Sequence, residues 1–223
     1  MSRHVWRGFV LAALLAPASA SWALQDSSRG QSWEAAFRII NVQGDTYEGN
    51  NGAKAETDSD VGWGFGFGFN VDENLSFAGN FNWADLDYQG TGISGINGST
   101  FDADGELEIS TLNFNATYNI LRKSFTPFVS AGIGATYIDT NIPNGLAYPV
   151  CWWDPWYGYY CGTAVPTKDE TDFSYNIGAG LRWDVVDNFF IKASANRLWI
   201  DASGNIGHPS FISYAVDFGF RFQ

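Results

Sequence analysis

The sequence predicts an all-β fold, an eight-stranded antiparallel up-and-down transmembrane β-barrel with long extracellular loops and short periplasmic turns. Three observations predict it: large apolar residues alternate with small or polar ones, aromatic residues are abundant, and short connections alternate with long ones. No stretch beyond the N-terminal segment holds the roughly 18 consecutive apolar residues that a membrane-spanning helix needs. The many aromatic residues must therefore share their segments with polar ones.

Residues 1–23 have the pattern of a secretory signal peptide: a basic start, a short apolar run and a small-residue ending. The apolar run is too short to cross a bilayer as a helix. We expect cleavage after Ala23, or alternatively after Ala20. Residues 24–223 would then form the barrel domain.

The predicted mature chain is strongly acidic. The signal segment carries two arginines and no acidic residue, so ten Lys and Arg remain against 24 Asp and Glu. Binding to phosphate groups of nucleic acids needs clustered cations. The composition therefore argues against nucleic acid as a partner.

Residues 61–69 show the alternation most clearly, because every odd position is large and apolar and every even position is glycine. Residues 173–183 and 212–222 alternate in a similar way. Successive side chains of a β-strand point to opposite faces, so each segment would have one apolar face and one small or polar face. We predict eight strands on this basis: 32–42, 60–70, 75–87, 106–120, 126–138, 172–184, 189–200 and 211–222.

The fourth predicted strand contains a change of phase. Leu107 and Ile109 occupy one set of alternate positions, whereas Leu112 and Phe114 occupy the other set. A β-bulge, which is one extra residue in one strand of a pair, would explain this change.

The connections are alternately short and long. Those after the second, fourth and sixth strands hold few residues, and the others are predicted as long loops at 43–59, 88–105, 139–171 and 201–210. A membrane barrel has tight periplasmic turns and long external loops, and it must close on itself because lipid offers no hydrogen bonds. The open alternative is a soluble, secreted ligand-binding barrel, whose large apolar residues would face inward.

Three segments resemble strands of small outer-membrane barrels: 126–137, 177–188 and 208–222. In their order along the chain they are similar to the superfamily of OmpW, OmpX and the OmpA barrel. This resemblance implies a location in the cell outer membrane of a Gram-negative envelope, among outer-membrane lipid and lipopolysaccharide. It also implies insertion by the barrel-assembly machinery. One departure is Gln223, which follows Phe222, whereas the family usually ends on the aromatic residue.

If the apolar faces meet lipid, the opposite faces fill a narrow interior. Eight strands enclose just enough room for side chains, which excludes a wide diffusion pore. Charges there should pair, because an unpaired charge in such an interior is costly. We predict a polar network of Glu34, Arg38, Arg182, Lys192, Asp217 and Arg221. It is either a packed core or a gated path whose ion pairs exchange partners.

Cys151 and Cys161 are the two cysteines of the chain and lie in the longest predicted loop. An oxidising compartment predicts a disulfide between them, whereas a metal site would need more ligands. The bridge would enclose an aromatic cluster of Trp152, Trp153, Trp156, Tyr157, Tyr159 and Tyr160. This loop either binds a small molecule, a glycan or a protein at the cell surface, or folds down over the barrel mouth.

The sequence thus predicts a structural or surface-interaction role through the extracellular loops. The alternative is a narrow channel or transporter for small or hydrophobic molecules, as a resemblance to OmpW implies. A remote alternative is a lipid A deacylase, because His208 stands two residues before Ser210, although Pro209 between them favours a turn. We expect no enzyme activity, no cofactor and no metal site.

Overall fold

The computed structural model describes residues 26–48, 54–93, 100–143, 146, 148–154, 158–164, 167–201 and 209–223. Its strands are β1 Ser32–Val42, β2 Thr46–Glu48, β3 Lys54–Thr57, β4 Asp60–Asn70, β5 Leu75–Ile93, β6 Thr100–Asn119, β7 Phe125–Pro143, β8 Tyr148–Asp154, β9 Gly158–Ala164, β10 Thr167–Val186, β11 Phe189–Asp201 and β12 Ser210–Phe222. Within these ranges, no helix is long and apolar enough to span a membrane. The predicted signal peptide, residues 1–23, lies outside the described residues.

Eight long strands close into one antiparallel barrel. Neighbouring strands follow the order β5-β4-β1-β12-β11-β10-β7-β6, and β5 pairs with β6 to complete the ring. Each strand of the barrel therefore pairs with its neighbours in sequence, and the first pairs with the last. Closure satisfies the backbone hydrogen bonds that lipid cannot. The predicted fold class is confirmed.

The large apolar side chains point outward from the barrel. Phe65 on β4 is exposed, as are large apolar side chains on β1, β5, β6, β7, β10 and β12. Toward the extracellular ends, Trp63 stacks on Trp83 at 4.6 Å and Tyr175 stacks on Trp199 at 5.3 Å, as in an interfacial aromatic girdle. A soluble barrel would bury its large apolar residues, so that alternative is wrong.

The strands extend further on the extracellular side than predicted. β1 and β4 have the predicted bounds, whereas β5, β6, β7 and β10 continue into segments predicted as loops. The predicted loop 43–59 contains the hairpin of β2 and β3, and β3 pairs with the upper end of β5. The predicted loop 139–171 contains β8 and β9, which form a two-stranded sheet of their own. Two of the four predicted loops thus contain paired strands within the described residues.

The bulge predicted in β6 is wrong. β6 pairs with β5 and with β7 without a shift of register. The change of phase therefore changes which face is apolar: Ile109 is buried inside the barrel, whereas Leu112 and Phe114 are exposed to lipid. The bulge interpretation assumed a polar interior at every level, and the interior is apolar near the extracellular end.

The periplasmic turn between β4 and β5 is held by a single carboxylate. Asp72 accepts hydrogen bonds from the backbone N–H groups of Leu75 at 2.8 Å and Asn74 at 2.7 Å. These bonds, the Leu75 bond foremost, lower the pKa of Asp72, because they favour the charged carboxylate. Such an Asx turn lets the chain reverse over a short connection.

Candidate functional site

The residues that precede β1 lie across the periplasmic mouth of the barrel. Asp26 forms an ion pair with Lys123 at 2.6 Å, and the Ser27 N–H donates to the carbonyl of Arg122 at 2.9 Å. Segment 26–31 is thereby tied to the turn between β6 and β7. We refer to this segment as the periplasmic plug.

Arg29 is the fully buried centre of the plug. Its guanidinium donates to Asp184 at 2.8 Å and to the backbone carbonyls of Glu73 and Leu121. It thus joins the plug to β10 and to two different periplasmic turns. Burial is the largest influence on its pKa and lowers it to about 10, so Arg29 keeps its charge at neutral pH.

Above the plug, the structure places Glu34, Arg182 and Lys192 in one ion network. Arg182 donates to Asp184 at 2.8 Å and to Glu34 at 3.1 Å, and Lys192 donates to Glu34 at 3.1 Å. Phe190 lies under both cations, 4.4 Å from the Arg182 guanidinium and 4.6 Å from the Lys192 ammonium. Opposite charges and a ring face therefore offset the cost of burying these groups.

Arg38, Asp217 and Arg221 also face the interior. Arg38 and Asp217 form a bidentate pair, with N–O distances of 2.5 and 2.9 Å. Arg221 donates to the carbonyl of Asp187 at 2.8 Å and lies 3.9 Å from Asp184. All six side chains of the predicted network are therefore luminal. The sequence did not predict that Arg29 binds Asp184 or that Phe190 lies against Arg182 and Lys192.

The lumen above these ion pairs contains a chamber of about 120 Å³. Its wall pairs each of several asparagines with a glycine on the adjacent strand: Asn80 with Gly66, Asn82 with Gly64, Asn113 with Gly134, Asn115 with Gly132 and Asn196 with Gly178. A Cβ atom at Gly66 would come within 2.7 Å of Asn80 Oδ1. Glycine thus lets the amide lie against the wall and leaves the centre open.

The chamber is polar enough to hold ordered water. Asn82 Oδ1, Asn115 Oδ1 and Asn176 Nδ2 are buried and have no hydrogen-bond partner in the described part of the protein. Buried polar groups of this kind are commonly satisfied by internal water. The chamber can therefore hold ordered water at these polar atoms.

An apolar layer ends the chamber on the extracellular side. Its buried members are Val42, Ala84, Leu86, Ile109, Ile200 and Phe211. They come from β1, β5, β6, β11 and β12, and Leu86 is only 1% exposed. Apolar constrictions resist water, and within the described residues this layer packs across the extracellular end of the lumen as the plug does across the periplasmic end. In the sequence, the change of phase between Ile109 and Leu112 in β6 is the pattern that indicates this apolar layer.

The hairpin of β8 and β9 carries the second candidate site. Cys151 and Cys161 lie opposite each other and are bonded, which confirms the predicted disulfide. Trp153 and Tyr159 are the next pair on the same face, and their side chains are 64% and 78% exposed. Two large aromatic side chains are therefore adjacent to a covalent cross-link and open to solvent.

Other predicted residues are only partly described. Trp156 and Tyr157 lie outside the described residues, as do the side chains of Trp152 and Tyr160. His208 is also outside them, whereas Ser210 accepts a hydrogen bond from Arg197 at 3.1 Å. Among the described His, Cys, Asp and Glu side chains, no group of three or more is arranged to hold a metal ion.

The sequence matches the family described as outer membrane protein beta-barrel domain over residues 9–222. The chain belongs to this family. Its location is accordingly the outer membrane, and its outward apolar surface faces lipid there.

Two solved structures share the fold. The outer membrane protein OprG from Pseudomonas aeruginosa has a TM-score of 0.56 and 11% identity, over 90% of this chain and 99% of OprG. Neisserial surface protein A has a TM-score of 0.51 and 10% identity, over 85% of this chain and 95% of that protein. No curated protein sequence matches at a significant level.

Proposed function

We propose that the protein binds a partner at the cell surface through the hairpin of β8 and β9. The exposed pair of Trp153 and Tyr159 carries this proposal. Trp and Tyr bury much area for little lost side-chain freedom and dominate the energy of many interfaces. The adjacent disulfide holds the two strands in register, which lowers the entropy cost of binding.

The charge around the extracellular strand ends restricts the chemistry of the partner. Exposed carboxylates line the upper parts of β5, β6 and β10: Asp85, Asp87, Glu106, Glu108 and Asp169. Such a surface repels polyanions and favours uncharged or cationic surfaces. An uncharged glycan or a protein surface with exposed cations therefore fits the hairpin better than a sulfated or phosphorylated polymer.

The proposal is tested by replacing both exposed aromatics in the Trp153→Ala/Tyr159→Ala variant. Cells displaying it are compared with wild type for binding to arrays of neutral glycans and immobilised matrix proteins. We expect binding to fall at least ten-fold at equal surface levels. Thr163→Ala, which alters an exposed residue on the same hairpin face, is the matched control and should bind like wild type. Equal binding by the double variant would contradict the proposal.

A narrow channel is the second candidate, and the polar chamber of about 120 Å³ favours it. A solute could use the chamber only if the periplasmic plug and the apolar layer both moved. Single-channel recording in planar bilayers tests this function directly. Discrete current steps from the wild-type protein would support it, and a silent bilayer at all voltages would reject it.

A further inference from the structure

A shallow region lies on the described part of the lipid-facing surface. Most outward positions carry large apolar side chains, but Ala116, Ala131, Ala179 and Ala195 lie on the neighbouring strands β6, β7, β10 and β11. Larger side chains flank them: Leu75, Tyr118, Val129, Ile177 and Ile212. The alanines thus form the floor of an open trough of about 620 Å³ with a predominantly apolar lining.

The trough runs across the strands and rises toward the extracellular side. Ala116 lies opposite Ala131 in the sheet register. One end is at Leu75, the first residue of β5 on the periplasmic side, and the other is at Arg197 and Ile212, near the extracellular ends of β11 and β12. Five spacings of about 4.8 Å between strands make it on the order of 24 Å long. The apolar lining suits a lipid acyl chain, which would occupy the part of the trough that lies within the outer leaflet.

Arg197 places a positive charge at the upper end of the trough. It donates to Ser210 Oγ at 3.1 Å, and its guanidinium lies 5.2 Å from the ring centre of Trp199. It is about eight residues along β11 from Phe189, which corresponds to roughly 19 Å of membrane depth at a rise of ~3.3 Å and a tilt of ~45°. With an apolar band about 25 Å tall, Arg197 lies near the outer headgroups.

The charge of Arg197 is exceptional for its position. The other cations in barrel strands whose side chains are described, Arg38, Arg182, Lys192 and Arg221, face the lumen. Arg197, in contrast to these four, is on the lipid side. A guanidinium binds phosphate through paired N–H donors. Its position on an otherwise acidic protein therefore points to an anionic lipid headgroup.

We propose that the trough binds one phosphorylated outer-leaflet lipid of the lipid A class. The phosphate contacts the Arg197 guanidinium, which Ser210 and Trp199 orient. One acyl chain lies on the alanine floor within the outer leaflet. This site is separate from the extracellular hairpin, so it does not depend on the surface-binding function.

The test measures lipid retention by native mass spectrometry of the folded protein. Wild type is titrated with lipid A and with dephosphorylated lipid A, and we expect at least ten-fold preference for the phosphorylated form. Arg197→Ala should lose that preference. Ala131→Leu/Ala195→Leu, which fills the floor, should weaken retention of both forms.

Matched controls separate the site from general lipid adsorption. Arg122→Ala removes a cation from a periplasmic turn, and Ala193→Leu enlarges an outward alanine on β11 outside the trough. Both should behave like wild type, as should Trp153→Ala/Tyr159→Ala. Heat-modifiable migration on gels verifies that every variant is folded. The proposal is overturned if wild type retains both lipids equally, or if Arg197→Ala keeps the wild-type preference.

Discussion

Arg38 and Asp217 connect the first barrel strand to the last, because they lie opposite each other in the pairing of β1 with β12. Both side chains are directed into the lumen, where they form two short hydrogen bonds. Attraction between buried charges is balanced largely by the cost of removing them from water. Removing one partner, which leaves the other charge buried and unpaired, should therefore lower the stability of the protein more than removing both.

A double-mutant cycle tests this expectation. Arg38→Met or Asp217→Leu alone should lower the free energy of unfolding by about 3–5 kcal/mol, because each leaves a buried charge unpaired. The double variant should recover most of that loss. Urea unfolding in lipid vesicles, followed by tryptophan fluorescence, measures all three. Additive losses in the double variant would show that the two charges do not depend on each other.

Individual luminal residues differ in how far sequence could predict them. Glu34 and Arg182 follow from alternation, because each shares its strand with outward apolar residues of the opposite phase. Arg29 precedes the first strand, where alternation carries no information. Its burial depends on carbonyl groups of Glu73 and Leu121, which come together only when the barrel closes. Local pattern could not indicate that contact.

At the scale of the strand, the lower and upper parts of β6 direct their apolar side chains to opposite faces. Its lower part presents apolar side chains to lipid, and its upper part presents Ile109 to the interior. Both arrangements use one continuous register. A strand can therefore keep its pairing while its apolar face changes sides, at the level where lipid gives way to water.

Matched isoleucine replacements test this change of sides. Ile109, 6% exposed, packs in the apolar layer, whereas Ile133 on β7 is 58% exposed toward lipid. Ile109→Ala should cost about 2–4 kcal/mol of unfolding free energy, because it leaves a cavity as well as losing apolar contact. Ile133→Ala should cost about 1–2 kcal/mol, since lipid fills the space. Urea unfolding measures both, and a larger cost at Ile133 would contradict the assignment.

The extracellular strand extensions bring like charges together. Asp85 lies opposite Glu108, Glu108 opposite Asp139, and Asp139 opposite Asp169. Like charges directly opposite each other weaken strand pairing. These polar extensions lack the apolar alternation of a membrane strand, which is why the sequence predicted loops there. Backbone pairing between neighbouring strands nevertheless continues above the membrane, so these segments are strands and not loops.

Neutralising one of the two inner carboxylates of this row should therefore stabilise the protein. Glu108→Gln should raise the free energy of unfolding by about 0.2–1 kcal/mol for each relieved pair at low salt. High salt should shrink the gain, because exposed charges are screened. Glu56→Gln is the matched control, since Glu56 faces Thr46 and Gln89 across its two pairings. Equal effects of the two variants on unfolding would argue against repulsion along the row.

Across the whole molecule, a polar chamber lies between two closures of different chemistry. Ion pairs and the periplasmic plug close one end, and apolar side chains close the other. Alternation, composition and loop lengths were enough to predict the closed barrel and its orientation. They were not enough to predict the closures, because each is assembled from residues of several strands far apart in sequence.

The two closures act in series, so opening one should not open the lumen. Arg29→Ala and Leu86→Ser/Ile109→Ser should each pass no more current than wild type in planar bilayers, because one closure remains in each of these two variants. The combined Arg29→Ala/Leu86→Ser/Ile109→Ser protein should show small discrete current steps, since water can then hydrate the lumen from both ends. Its steps should be far smaller than those of a general porin, because eight strands leave little free width. Larger current steps in either partial variant than in wild type would show that a single closure controls the lumen.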